Sequence, residues 1–371
     1  MPPPRLIAAE IYRHSSYGPQ HPLAIPRVSV ALDLVRALGW LPEDRYLNSP
    51  VATTMQLGRF HTPNYIAALQ RAEATQQVNP ADRDRHHIGR HGNPVFAEVF
   101  SRPATSAGGT LLAARLALEG GILHHLAGGT HHARPDQASG FCYFNDAVLG
   151  MLAWLDAGLD NLFYLDIDAH HGDGVQDAFQ QDPRVFTCSI HEAGRWPHSG
   201  TLDDQGATHR NLPMPAGLND TEFGWALHHV VLPLIRARKP QAIMLQCGAD
   251  ALEEDPLARL SLSNNAHWSV AAALRTMAPR VVVLGGGGYN PWTVARCWAG
   301  VWGTLNAFSI PDRLPAMAEA VLRDLPAPLS RAAWRNPPEH WFTSLRDAPR
   351  PGKVRAEVIR VCNAALAGSA A

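Results

Sequence analysis

Asp168 and His170 stand two residues apart at the end of an apolar run, Leu162–Ile167. In extended backbone, side chains two apart leave the same face, so a carboxylate and an imidazole point the same way. Asp250, just past the apolar run Ala242–Gln246, offers a second carboxylate from a distant segment. Two carboxylates and one imidazole form a three-donor site with a position left for water and substrate, which is what a catalytic zinc requires. Such an ion activates water near neutral pH and polarises a carbonyl. Taken alone, D-x-D-x-H also reads as an acidic loop with incidental histidines or as a hard-cation site; with Asp250 it reads as a metal centre. The donor set suits iron(II) or cobalt(II) as well.

His131-His132 follows the run Gly121–Ala127 and a Gly-Gly-Thr turn, and is trailed by Gly140-Phe141. Asp166 and Asp173 flank the metal loop, and each can orient one imidazole and set its tautomer and basicity. Amide hydrolysis needs a proton acceptor for water and a donor to the leaving amine. The pairs His86-His87, His124-His125 and His228-His229 lack this setting and read as ordinary polar or packed residues. Tyr289 closes Gly285-Gly286-Gly287-Gly288, a loop almost without side chains that lets substrate approach the backbone. Its phenol can donate to a developing oxyanion. The competing reading, a phosphate cradle, lacks the Lys-Ser/Thr of a P-loop, and a dinucleotide fingerprint would need Gly where Asn290 stands.

These residues need elements to converge. Apolar runs at Leu6–Tyr12, Gly121–Ala127, Leu162–Ile167, Val185–Ile190, Ala242–Gln246 and Arg280–Leu284 predict strands. Most are continuously apolar, as in strands buried on both faces. Helical patterns at Val28–Leu38, Pro63–Thr75, Thr105–Leu118, Asn145–Asp156, Thr221–Arg238, Asn264–Met277 and Pro291–Phe308 separate them. The alternation predicts an α/β fold with a mostly parallel sheet and helices on both faces. Right-handed crossovers put all strand C-termini along one edge, where ligands bind. Four strands run into chemically capable residues at that end, which core packing does not explain. The reading is one domain over 1–371, with a catalytic core at about 5–310 and a C-terminal wrap at about 311–371, its Pro/Arg-rich part from Asp324 to Gly352 lying on the surface and Ala364–Ala371 frayed.

Composition narrows the function. Of 371 residues, 46% are apolar, enough for a sizeable core, and the formal net charge is −1. No basic stripe points to nucleic acid, and no run of 18 apolar residues predicts a membrane span. Met1-Pro2-Pro3-Pro4-Arg5 starts no secretory signal. Cys142, Cys188, Cys247, Cys297 and Cys362 are odd in number and scattered, as reduced thiols in a cytoplasmic protein are.

The motifs resemble the histone deacetylase family. The carrying stretches are G-G-T-H-H-A-R-P-D-Q-A-S-G-F-C-Y-F-N-D (128–146), Y-L-D-I-D-A-H-H-G-D-G-V-Q-D-A-F (164–179), Q-C-G-A-D (246–250), L-G-G-G-G-Y-N (284–290) and, near the start, H-P-L-A-I-P-R (21–27). Gly286, where class II members usually carry Glu, makes the loop similar to class I and bacterial acetoin-utilisation-type members. The resemblance implies a single-domain arginase/deacetylase-like fold and a zinc-dependent deacetylase acting on N-acyl amines, foremost acetyl-lysine side chains. It implies zinc at Asp168, His170 and Asp250, His132 as general base and then acid, His131 as electrostatic support and Tyr289 as oxyanion donor. It further implies Gly140, Phe141, Trp196, Leu257 and Gly287 along the substrate path, and Arg27, Thr130 and Cys142 around an inner pocket. A structural potassium is implied at Asp166, Ser189 and the carbonyls of Asp168, His170 and Ile190, and a second near Phe179, Asp182 and Val185.

The chain also departs from the family. Gly92 lies where an acid usually grips the substrate backbone. Trp196-Pro197-His198-Ser199-Gly200-Thr201 replaces the F-P-G-T-G stretch, placing Trp196 as the second tunnel wall. Thr130 replaces a bulky aromatic, predicting a roomier inner pocket. Leu257 takes the gatekeeper position where polyamine-selective relatives carry Glu, favouring neutral acyl-lysine-like substrates. The partners implied are an acylated lysine peptide or a small acylated amine, with no direct nucleic-acid or membrane contact; a homo-oligomer is compatible. The alternatives are a deacetylase of acetylated small amines or polyamines, a binuclear-manganese ureohydrolase, disfavoured because Asp250-Ala251-Leu252 lacks a second acid, and a non-catalytic acyl-ligand binder.

Overall fold

The computed structural model describes residues 2–90, 92–325, 334 and 336–367. Its centre is one eight-stranded sheet in the order β2-β1-β3-β8-β7-β4-β5-β6. The strands are β1 (Arg5–Ala8), β2 (Tyr46–Asn48), β3 (Gly121–His125), β4 (Leu162–Asp166), β5 (Val185–Glu192), β6 (His209–Met214), β7 (Ala242–Gln246) and β8 (Arg280–Leu284). Every pairing is parallel, as the strand–helix alternation predicts.

Continuous apolar runs arise because both faces are covered. Phe163, Leu165, Ile243, Leu245, Val281 and Val283 point into one core, shared with the helices Arg27–Ala37, Asn264–Leu274 and Pro291–Leu305. Their neighbours Leu162, Tyr164, Ala242, Met244, Val282 and Leu284 point into the other, under Ser101–Ala117 and Asp146–Asp156. A third cluster, with Tyr65, Phe96, Tyr143 and Phe144, packs the loops beside the strand ends. All five cysteines are free and buried.

Several expected elements differ. The first strand stops at Ala8, whose partner Asn48 ends β2, and Ile11–His14 is helical because strand pairing has run out. β2 and β6 escaped the apolar pattern: one has three residues, and the other is His-Arg-Asn-Leu-Pro-Met, whose Pro213 is tolerated because the strand is an edge paired only to β5. The expected helix Thr221–Arg238 is interrupted by a π-turn at Leu227–Val231. Pro233 cannot donate to the carbonyl four residues back, and the wider turn accommodates its ring. The Asp324–Gly352 stretch is no mere surface wrap: Trp341 and Leu345 are buried, and Asp347 pairs with the fully buried Arg296. Residues 326–333 and 335 of that stretch lie outside the described residues. Ala364 to Ala367 are not frayed but end the helix Ala356–Ala367, with Ala365 buried; 368–371 lie outside the described residues.

Candidate metal centre and active site

The strands that carry the candidate residues, β3, β8, β7 and β4, are neighbours at the centre of the sheet. Their C-terminal ends bring Asp168, His170 and Asp250 together, with one donor atom of each within 4.8 Å of the others. His170 Nδ1 lies 3.2 Å from Asp168 Oδ1 and 3.0 Å from Asp250 Oδ2. Gly287 N–H donates to Asp168 Oδ2 at 2.8 Å, Gln246 Nε2 donates to the same oxygen at 2.9 Å, and Ala169 N–H donates to Asp250 Oδ1 at 2.9 Å. The glycine at 287 is a steric requirement, because a Cβ there would come within 2.1 Å of Asp250 Oδ2.

The electrostatics fit a cation. Burial and the adjacent Asp168 carboxylate push Asp250 up to about 6. Burial also opposes ionisation of Asp168, but His131 and His170 outweigh it and hold its carboxyl well below the usual range. Two buried carboxylates this close need a positive charge between them, and a divalent ion on this donor set meets that need.

The histidine pair sits beside these ligands. His131 Nδ1 contacts Asp166 Oδ2 at 2.7 Å, and its Nε2 is 4.0 Å from Asp168 Oδ1. His132 Nδ1 contacts Asp173 Oδ1 at 2.7 Å, while Arg134 Nη2 holds the other Asp173 oxygen at 2.6 Å. The rings are 3.9 Å apart. Burial lowers the basicity of both. For His131 the Asp166 and Asp168 carboxylates overcome it and raise the imidazole to about 9. For His132, burial and the charge on His131 win over Asp173 and lower it to about 4. The two surroundings thus push neighbouring imidazoles in opposite directions.

A cavity of about 690 Å³ leads outward, lined by His132, Gly140, Phe141, His170, Trp196, Leu257 and Tyr289, among others. Trp196 stands edge-on to His132 with centroids 4.6 Å apart, and Phe141 edge-on to Tyr289 at 5.9 Å. Phe141 adopts φ +66°, held by Asn93 Oδ1, which accepts from its N–H at 2.9 Å, and by Tyr17 O–H, which donates to its carbonyl at 3.1 Å. Gly140 makes room, since a Cβ there would lie 2.4 Å from Trp196 and 2.5 Å from His132. Gly92, where the resemblance leads one to expect an acid, has no space for a side chain: a Cβ would meet the Phe141 ring at 2.5 Å.

Inward, Arg27 Nη1 donates to the carbonyls of Gly286 at 2.7 Å and Gly288 at 3.2 Å, bracing the glycine loop. Thr130 and Cys142 line this inner cavity with Arg27, but its volume is only about 60 Å³. Thr130 turns its hydroxyl toward the Phe144 carbonyl and the Asp146 carboxylate. At the first implied potassium position, Asp166 and Ser189 face each other across β4 and β5. At the second, Phe179, Asp182 and Val185 form the turn before β5, where the Asp182 carboxylate is engaged by Arg184.

The sequence pattern did not single out four supporting residues. Gln246 bridges Asp168 and the Gly129 carbonyl; Asp146 accepts from the N–H groups of Gly129 and Thr130. Asp255 accepts from Tyr289 N–H at 2.7 Å and Leu257 N–H at 2.8 Å, and Glu192 pairs with Arg195. The available signal was a polar residue ending a strand, for Gln246 and Glu192; Asp146 opens a helix and Asp255 lies in a loop, where acids are ordinary.

Residues 21–305 match the histone deacetylase domain. Histone deacetylase 9 of Arabidopsis thaliana is 35% identical over 309 residues, covering 81% of this chain and 72% of that protein. The chain belongs to the histone deacetylase family. Among solved structures, a histone deacetylase (HDAC) homolog from Aquifex aeolicus superposes with a TM-score of 0.92 at 34% identity, covering 98% of this chain and 99% of that one. An HDAC homolog complexed with SAHA gives 0.92 and 34%, over 97% and 99%. The family's arginase/deacetylase fold is therefore the fold of this chain, and among the described residues no helix is long and apolar enough to cross a membrane.

Proposed function

We propose that this histone deacetylase family member is a zinc-dependent hydrolase of N-acyl amines, with acetyl-lysine-like side chains as its principal substrates. The observation that carries the reading is the Asp168/His170/Asp250 donor cluster with two adjacent imidazoles beside it, each held by its own carboxylate. Zinc on those donors supplies a Lewis acid for the acyl oxygen and for water at neutral pH.

The chain's own groups supply the rest. His132 donates its Nδ1 proton to Asp173, which leaves the Nε2 lone pair free to take a proton from the attacking water. Asp166 holds His131 toward its charged form, which favours developing negative charge. Tyr289 stays a phenol, because burial and the Asp250 and Asp168 carboxylates push its ionisation up, so it donates to the acyl oxygen. The proton taken by His132 then passes to the departing nitrogen as the C–N bond breaks, giving a carboxylic acid and an amine. Phe141 and Trp196 flank an aliphatic arm, and Leu257 offers a cationic arm no counter-charge. Potassium at Asp166, Ser189 and the carbonyls of Asp168, His170 and Ile190 would hold the β4–β5 ends in register, with a second ion at Phe179, Asp182 and Val185.

The test uses protein of defined zinc content and an Nε-acetyl-lysine reporter. Tyr289→Phe removes one oxyanion donor and is expected to lower kcat by about 10² to 10³, with zinc content unchanged. An undiminished kcat in that variant would remove Tyr289 from the reaction.

A further inference from the structure

The charges at the cavity mouth are unevenly distributed. Among the described residues, the charged side chains lining the outer cavity besides the histidines are Glu192, Arg195 and Arg259. Glu192 is fully engaged: its two oxygens take Arg195 Nε and Nη2, and one also accepts from Arg259 N–H at 2.8 Å. The Arg195–Glu192 pair is thereby neutral, and Arg195 Nη1 donates to the Leu257 carbonyl at 2.9 Å.

Arg259 differs. Its backbone is pinned on both sides, by Glu192 at the N–H and by Gly217 N–H on its carbonyl, but its exposed guanidinium has no partner among the described residues. The nearby acids are already occupied: Glu253 and Glu254 pair with Arg350, and Asp255 faces the backbone of Leu257 and Tyr289. Behind Phe141, Gly92 carries no side chain, and the Phe141 ring leaves no room for one. Among the described residues lining the cavity, the mouth thus presents one uncompensated cation and no free acid. A basic peptide flanking an acyl-lysine would meet repulsion there, whereas an anion would meet a counter-charge.

We propose that the substrates of this site are N-acyl amines bearing a carboxylate at the far end of the arm, and that Arg259 receives that carboxylate. The inference rests on the deacylase reading above and adds the substrate's charge. A planar guanidinium matches a carboxylate in a two-pronged geometry that a carboxamide cannot reproduce with equal charge.

Two probe pairs that differ only in this group test the proposal. Nα,Nε-diacetyl-lysine is compared with its C-terminal amide for kcat/KM on zinc-loaded protein. An eight-carbon chain with a hydroxamate at one end and either carboxylate or carboxamide at the other is compared for Kd by calorimetry. Arg259 is exposed, so the carboxylate member should be favoured by about three- to fivefold in both measurements at low salt. The preference should shrink with added sodium chloride, fall toward one in Arg259→Gln and persist in part in Arg259→Lys. Equal or inverted preference in the native protein overturns the proposal and leaves the deacylase reading standing, as does a preference that survives Arg259→Gln. Failure to hydrolyse either member while the hydroxamates bind would strike at the deacylase reading itself.

Discussion

Two imidazoles next to each other in the chain acquire opposite character because their partners differ. His131 lies against Asp166 and near Asp168, whose combined charge outweighs burial. His132 has Asp173, but Arg134 shares that carboxylate and His131 adds a positive charge 3.9 Å away, ring to ring. Titratable neighbours whose environments push them apart can divide acid and base work. Asp173→Asn keeps an acceptor for His132 but removes its charge. The expected outcome is a fall in kcat of about 10- to 100-fold with KM little changed and zinc retained. Steady-state kinetics beside zinc analysis check this, and a change confined to KM would mean that Asp173 serves binding instead.

At the scale of elements, loops matter as much as strands. Four neighbouring strand ends aim the donors, but the glycine loop after β8 decides how closely they pack. Gly287 brings its N–H to Asp168 and leaves Asp250 Oδ2 the space that a methyl group would take. Gly287→Ala is therefore expected to weaken zinc binding by about 10- to 100-fold, read by chelator competition, with far-ultraviolet circular dichroism unchanged. Native zinc affinity in that variant would show that the loop yields without disturbing the ligands. Asp255 supports the same loop from below by accepting from the Tyr289 N–H.

At the scale of the molecule, the buried imidazoles away from the site set a pH limit on stability. His61, His124 and His125 are held neutral, each pushed down to about 3, chiefly by burial. An unfolded imidazole titrates near 6.5, so the unfolded chain binds more protons than the native one between those values. The native state keeps its full stability from these groups above about 6.5 and loses it as pH falls toward 3, by about 1.4 kcal/mol per pH unit for each histidine. On metal-free protein, where zinc release does not contribute, the urea midpoint should drop steeply between pH 7 and pH 5. A flat midpoint across that window would mean that these imidazoles are protonated in the native state or reached by water.

The sequence alone determined the chemistry and its topological address. D-x-D-x-H, the His131-His132 pair, Asp250 and Tyr289 each follow a strongly apolar run, and a parallel sheet delivers the ends of such runs to one edge. The central strands were legible because burial on both faces demands apolar side chains at every position. β2 and β6 were not, since edge strands tolerate polar residues and proline. Only the tertiary structure decided the order β3-β8-β7-β4 that makes the four ends neighbours. It also decided that Thr130 turns its hydroxyl away from the inner cavity, and that Gly92 is blocked by Phe141. The opposed surroundings of His131 and His132 belong there too. These are through-space contacts between segments far apart in the chain, and local patterns carry no information about which distant side chain occupies the facing volume.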